Sequence, residues 1–167
     1  RIDVVFPVLH GENGEDGSMQ GLLQLSGIAY VGANVAASAT CMDKTLTKLV
    51  ADQAKIPQAA WELVRRCDLD CRADSVLDQL EGRFAYPMFV KPAGTGSSVG
   101  VSKVGSREEL LQGLLSAAVY DEKVLVEEFI KGKEIEVAVM GNRSPMASVC
   151  GEIDSGAEFY DYEAKYI

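Results

Sequence analysis

Short apolar runs and periodic apolar positions divide this chain into alternating elements before any chemistry is considered. Val4 to Leu9 reads as a buried strand and leads into a glycine-rich acidic loop, His10-Gly11-Glu12-Asn13-Gly14-Glu15-Asp16-Gly17. Met19, Leu22, Leu23 and Ser26 recur at helical spacing, with Ser18 placed to cap that helix and Gly27 to end it in a left-handed conformation. Ile28 to Val31 makes a short strand. The next helix begins at Asp43, carries Leu46, Leu49, Val50 and Ala54 on one face, and closes at Pro57. Trp61 to Val64 reads as a strand, Asp74 to Leu80 as a short helix, and Met88 to Val90 as a strand ending at Lys91-Pro92.

Beyond the loop Ala93 to Ser98, alternation from Val99 to Val104 predicts a strand again. Ser106 and Glu109 form a capping box ahead of Leu110, Leu111, Leu114, Leu115 and Val119, the clearest helical pattern in the sequence. Strands are expected at Val124 to Glu127, Ile135 to Met140 and Met146 to Ile153. This order predicts α/β or α+β construction with a boundary near Asp43.

Composition narrows the classes of function. The net charge of −9 and the dispersion of the sixteen Lys and Arg exclude a general affinity for nucleic acid, which needs a clustered basic surface. Neither a long uninterrupted apolar run nor a basic-then-apolar leader is present, so no membrane partner is expected and a cytoplasmic location is. Cys41, Cys67, Cys71 and Cys150 lack C-x-x-C spacing and are read as reduced thiols, with no metal site assigned. Arg1 to Phe6 opens in strand-like residues without an initiator Met, and Tyr160 to Ile167 ends in a polar, aromatic stretch, so a piece from the middle of a longer protein is expected.

The most specific chemical feature is Phe89-Val90-Lys91-Pro92-Ala93-Gly94-Thr95-Gly96-Ser97-Ser98-Val99-Gly100. A strand delivers a cation to its end and gives way to a loop whose glycines let backbone N–H groups approach an anion, with the hydroxyls of Thr95, Ser97 and Ser98 as further donors. The lysine precedes the glycines and a strand follows them, so the loop is no Walker A; a hairpin lid over phosphates is the closer analogue, and a plain flexible hairpin the alternative. Lys44 opposes the dipole of its own helix, which suits an anionic partner, although a solvated surface lysine would read the same way. Glu127, Glu128 and Glu134 flank Phe129-Ile130 and could serve a base and a ribose, or simply be solvated edge charges.

Four segments together resemble the D-alanine:D-alanine ligase family across nearly the whole chain. They are Leu9-His10-Gly11 with Gly14-Glu15-Asp16-Gly17, Met42-Asp43-Lys44 with Thr47-Lys48, Lys91-Pro92 with Gly96-Ser97-Ser98-Val99-Gly100, and Tyr160-Asp161-Tyr162-Glu163-Ala164-Lys165-Tyr166. The resemblance implies an ATP-grasp fold: residues 1–42 the remainder of an N-terminal α/β substrate domain, 43–128 a central domain with the glycine-rich lid, and 129–167 the start of a C-terminal domain with a mobile loop. It implies that Lys44 and Lys91 contact ATP phosphates with Ser98 in the lid loop over them, that Glu127 and the backbone near Phe129 and Ile130 hold the adenine and Glu134 the ribose, and that Lys165 approaches the nucleotide from the mobile loop. His10 and Glu15 would lie near the first D-alanine, with Glu15, Ser97 and Tyr166 as the catalytic set that orients substrate.

The implied reaction joins two D-alanines through an acyl phosphate, with Mg2+ held by ligands beyond Ile167 and the parent enzyme a homodimer. The retained Tyr166 favours an amine nucleophile over a hydroxyl, while D-serine stays open as second substrate. Ala93-Gly94-Thr95 departs from the bulkier or charged residues of many relatives, so lid contacts differ. The isolated piece is expected to be inactive. Another ATP-grasp ligase and a non-catalytic nucleotide-binding module are the alternatives.

Overall fold

The computed structural model describes residues 2–153, and its chain divides after Phe129 into two compact units. In the first, β1 (Val4–Val5) pairs in parallel with β2 (Ala29–Tyr30), and α1 (Ser18–Leu25) connects them. Then come α2 (Val35–Met42), α3 (Lys44–Gln53), β3 (Trp61–Arg65), α4 (Arg66–Arg83), β4 (Met88–Pro92), β5 (Ser102–Val104), α5 (Arg107–Tyr120) and β6 (Lys123–Glu128). The mixed α/β construction agrees with the pattern of the sequence.

The antiparallel sheet β3-β6-β4-β5 carries the core. Period-two alternation sends Val64, Met88, Val90, Val104, Val124 and Val126 to one face, where α4 and α5 cover them with Leu69, Leu77, Leu80, Leu110, Leu114 and Ala117. The opposite face receives Phe89, Lys91, Leu125 and Glu127, adjacent by register, with Phe89 directly across from Glu127 and Lys91 across from Leu125. One face of the sheet therefore makes the fold, and the other is left for chemistry.

Several elements differ from the sequence pattern. The expected strand Val4 to Leu9 pairs only at Val4 and Val5, and α2 goes unforeseen because its small residues show no polar stripe. The short helix expected at Asp74 to Leu80 belongs to an element running from Arg66 to Arg83, broken at Arg72 by a non-helical backbone (φ −152, ψ 42). Gly17, not Ser18, holds the N-cap position of α1, and the Asp16 carboxylate accepts from the Ser18 and Asn13 amides instead. Gly27 does take the left-handed conformation (φ 67). Lys55, left-handed at φ 56, follows α3 before Pro57 is reached. Ser106 caps α5 through the Glu109 amide, but Glu109 returns its carboxylate to the Gly105 amide, one residue short of a reciprocal box. The strand expected from Val99 starts only at Ser102, after a turn.

In the second unit, β7 (Glu134–Glu136) pairs antiparallel with β10 (Gly151–Ile153), and β8 (Val139–Met140) with β9 (Met146–Ala147). The two long strands expected there are each interrupted. No described helix is long and apolar enough to cross a membrane.

Candidate functional site

Asp43 sets the position of the first cation. One of its oxygens accepts from the Thr45 amide at 2.9 Å and the Leu46 amide at 3.2 Å, capping α3, and the other pairs with Lys123 at the start of β6. Burial pushes the Asp43 carboxyl up, but the Lys123 ammonium and the Thr45 and Leu46 donors outweigh it and hold the group below the usual range. Helix α3 is thereby fixed at the end of the sheet, and Lys44 follows the cap.

The Lys44 side chain donates to the carbonyls of Pro92 at 3.0 Å, Ala93 at 3.3 Å and Thr95 at 2.6 Å, while its own amide donates to Ala93 at 2.9 Å. Its charge therefore sits where β4 ends and the glycine-rich loop begins. Burial lowers its pKa first and the nearby Lys91 ammonium lowers it further, against Glu127, Asp121 and Asp43. A buried lysine whose charge is disfavoured by a second lysine nearby marks a place suited to a polyanion.

The loop between β4 and β5 is built from its backbone. Asp121 accepts from the Gly94 amide at 2.7 Å and from the Lys123 amide at 2.9 Å, tying the loop's base to the sheet. Thr95 Oγ1 donates to the Val99 carbonyl at 3.0 Å, and the Val99 amide to the Gly96 carbonyl at 3.0 Å. Ser97 and Ser98 are both left-handed, at φ 51 and 59, a backbone that non-glycine residues rarely adopt in succession. At Gly100, φ is 71 and a Cβ would lie 2.7 Å from the Tyr120 ring and 2.8 Å from Pro92, so only glycine fits.

The loop also touches the acidic loop near the start of the chain. A Cβ on Gly96 would come 3.2 Å from Gly11 Cα. Gly11 in turn donates its amide to Glu15 Oε2 at 2.5 Å. His10 and Glu15, both exposed, thus belong to a loop that borders the one bearing Ser97 and Ser98.

On the open face of the sheet, Glu127 is 7% exposed and both its oxygens meet ammonium groups: Lys91 at Oε2 and Lys48 at Oε1, the latter at 2.5 Å. Burial pushes the carboxyl up, yet the two cations hold it below the usual range. Phe89 and Phe129 lie with ring centroids 6.0 Å apart, Lys91 over the first ring at 5.3 Å and Lys103 over the second at 4.6 Å. An aromatic patch and a cationic end adjoin on one surface, an arrangement suited to a flat base with a charged tail.

The structure therefore gathers Lys44, Lys91, Glu127 and Phe129 on and beside one sheet, with Ser97 and Ser98 on the loop that leaves β4 and His10 and Glu15 in the bordering loop. Ile130 and Glu134 belong to the second unit, where Glu134 is exposed on β7 and pairs with Ile153. Lys165 and Tyr166 lie outside the described residues. Sequence reasoning assigned no role to Lys48, although its place four residues after Lys44, on the same side of a helix, is the signal that could have found it. It placed Asp43 at the start of a helix without its pairing to Lys123, and it did not find Asp121, which anchors the loop. All four cysteines are free and exposed.

Comparison with known proteins gives the same direction. A family model described as D-ala D-ala ligase C-terminus matches residues 50–167, and one described as D-ala D-ala ligase N-terminus matches residues 1–33. D-alanine–D-alanine ligases of Acetivibrio thermocellus and Ruminiclostridium cellulolyticum are 56% and 53% identical to the chain over 100% and 99% of its length. The chain spans 44% of each of them. Among solved structures, the D-alanine–D-alanine ligase of Coxiella burnetii superposes with a TM-score of 0.84 at 43% identity, covering 90% of this chain and 44% of that one. The VanG D-Ala:D-Ser ligase of Enterococcus faecalis superposes at 0.85 with 37% identity, over 100% of this chain and 48% of its own. With family models matched in order along its length and the fold shared with solved members, the chain belongs to the D-ala D-ala ligase family.

Proposed function

We propose that this chain forms part of an ATP-dependent ligase that joins two D-alanines into D-alanyl-D-alanine, a peptidoglycan precursor, in the cytoplasm and as a homodimer. The observation that carries the reading is the gathering of Lys44, Lys91 and the glycine-rich loop at one end of β4, beside the Glu15 loop. The ammonium groups would face the phosphates of ATP and Ser98 the same tail, with Phe129 and Glu127 at the base. His10, Glu15 and Ser97 would hold the first D-alanine. Ile130 would serve the base, Glu134 the ribose, Lys165 the nucleotide and Tyr166 the substrate.

In the proposed reaction a carboxylate oxygen of the first D-alanine attacks the γ-phosphorus as the bond to ADP breaks. The amine of the second D-alanine then attacks the acyl phosphate carbonyl, inorganic phosphate leaves, and the nitrogen loses a proton. Positively charged groups lower the barrier by offsetting charge on the transferring oxygens, and a closed loop keeps water from the acyl phosphate. Mg2+ is the metal such ATP chemistry uses. Among the described residues no three His, Cys, Asp or Glu side chains gather to hold a metal, so they do not by themselves fit a Mg2+ site.

The likeness to a D-Ala:D-Ser ligase over the full chain supports D-serine as a second reading for the acceptor. ADP release by a full-length ligase carrying this chain separates the two. Release with D-alanine alone supports the first reading; release that requires added D-serine supports the second. Absence of ADP release with either amino acid overturns both.

A further inference from the structure

The two ammoniums on Glu127 are held differently: Lys48 has a further backbone partner, and Lys91 lies over the Phe89 ring. Lys48 is the more enclosed, its side chain 13% exposed against 26% for Lys91. It also donates to the Ala59 carbonyl at 3.3 Å, and its own carbonyl accepts from Gln58 Nε2 at 2.9 Å, so both ends of the residue are tied to the segment between α3 and β3. Lys91 stands on the strand that runs into the glycine-rich loop, within electrostatic reach of Lys44.

Resting on the nucleotide site proposed above, we infer that Lys48 is a positioning residue: it neutralises Glu127 from α3, so that Lys91 can exchange that carboxylate for a phosphate oxygen. The physical reason is the cost of a buried charge left without a partner, which far exceeds what an exposed ion pair contributes. With Lys48 in place, Glu127 keeps one counterion when Lys91 turns toward the nucleotide. Without it, Lys91 is the sole partner of a nearly enclosed carboxylate, and nucleotide binding must break that pair. With Asp43 paired to Lys123, the three ammoniums Lys44, Lys48 and Lys91 face the two carboxylates Glu127 and Asp121, which leaves a surplus of one positive charge for a polyphosphate.

The test is titration of the non-hydrolysable ATP analogue AMP-PNP into a full-length ligase carrying this chain, for K48M, K48R, E127Q and the double variant K48M/E127Q. Dissociation constants are expected to rise about tenfold for K48M and to change little for K48R. In the E127Q background, where no carboxylate needs neutralising, adding K48M should weaken binding no further. In steady state, K48M should raise the KM for ATP and leave the KM for D-alanine as it was, a split that general loosening of the fold would not produce. Equal loss in both backgrounds, unaltered binding by K48M, or a matching rise in the KM for D-alanine would overturn the inference. Failure of the unsubstituted protein to bind AMP-PNP would instead overturn the nucleotide site itself, and this inference with it.

Discussion

Asp43 shows how much one side chain decides here, because it caps α3 and pairs with Lys123 in the same stroke. Asp43→Ala removes the cap acceptor and the charge, and should lower stability by about 1–2 kcal/mol in urea unfolding at neutral pH. The folded-state pKa of this group is depressed, so its ionic contribution is present above the unfolded value and lost as pH falls through the folded one. The gap between Asp43→Ala and the unsubstituted protein should therefore narrow below about pH 4, leaving the part due to the neutral cap. A gap that widened on acidification would contradict the pairing with Lys123. Asp43 was legible as a cap from its place before an apolar period; the Lys123 pair, 80 residues away along the chain, was not.

At the scale of elements, what could be read were local signals and what could not were tertiary ones. Ser106 announced α5 by its hydroxyl three residues ahead of Glu109. Ser106→Ala should cost about 1 kcal/mol in thermal or denaturant unfolding. Leu110 and Leu114, fully buried against the sheet, should each cost about 2–5 kcal/mol as alanine. By contrast, the charges of Arg66 to Asp74 concealed the first turns of α4, whose burial comes from Leu69 while its backbone breaks at Arg72. The glycine-rich loop was legible as a loop, but nothing in its spelling says that Asp121 anchors it or that Gly96 meets Gly11. Gly100→Ala, with a left-handed backbone and no room for a methyl group, should destabilise the fold by about 1–3 kcal/mol and weaken AMP-PNP binding as the loop shifts. A Gly100→Ala protein as stable as the original would show that the loop's conformation is not the one described.

For the molecule as a whole, an overall charge of −9 coexists with a local excess of ammonium groups at one end of the sheet, so the mean charge says little about the site. Lys91 was legible as an anion-binding candidate from the loop it precedes and Lys44 from its place at a helix N-terminus, the order of four segments made ATP phosphates the expected anion, and the structure adds that the two lysines stand together. It also adds a competing set of partners: Lys44 is already bonded to three carbonyls, and Lys91 to Glu127. In the proposed site a nucleotide would exchange those partners, and each substitution should therefore act on the phosphates more than on the base.

The most direct measurement is calorimetric titration of a full-length ligase carrying this chain, and of its K44M and K91M variants, with AMP-PNP and separately with adenosine. Each variant should bind AMP-PNP at least about tenfold more weakly while holding adenosine as before, since one lost charge-assisted contact is worth about that factor. Unchanged AMP-PNP affinity in both variants, or an equal loss for adenosine, would contradict a polyphosphate site at the end of β4.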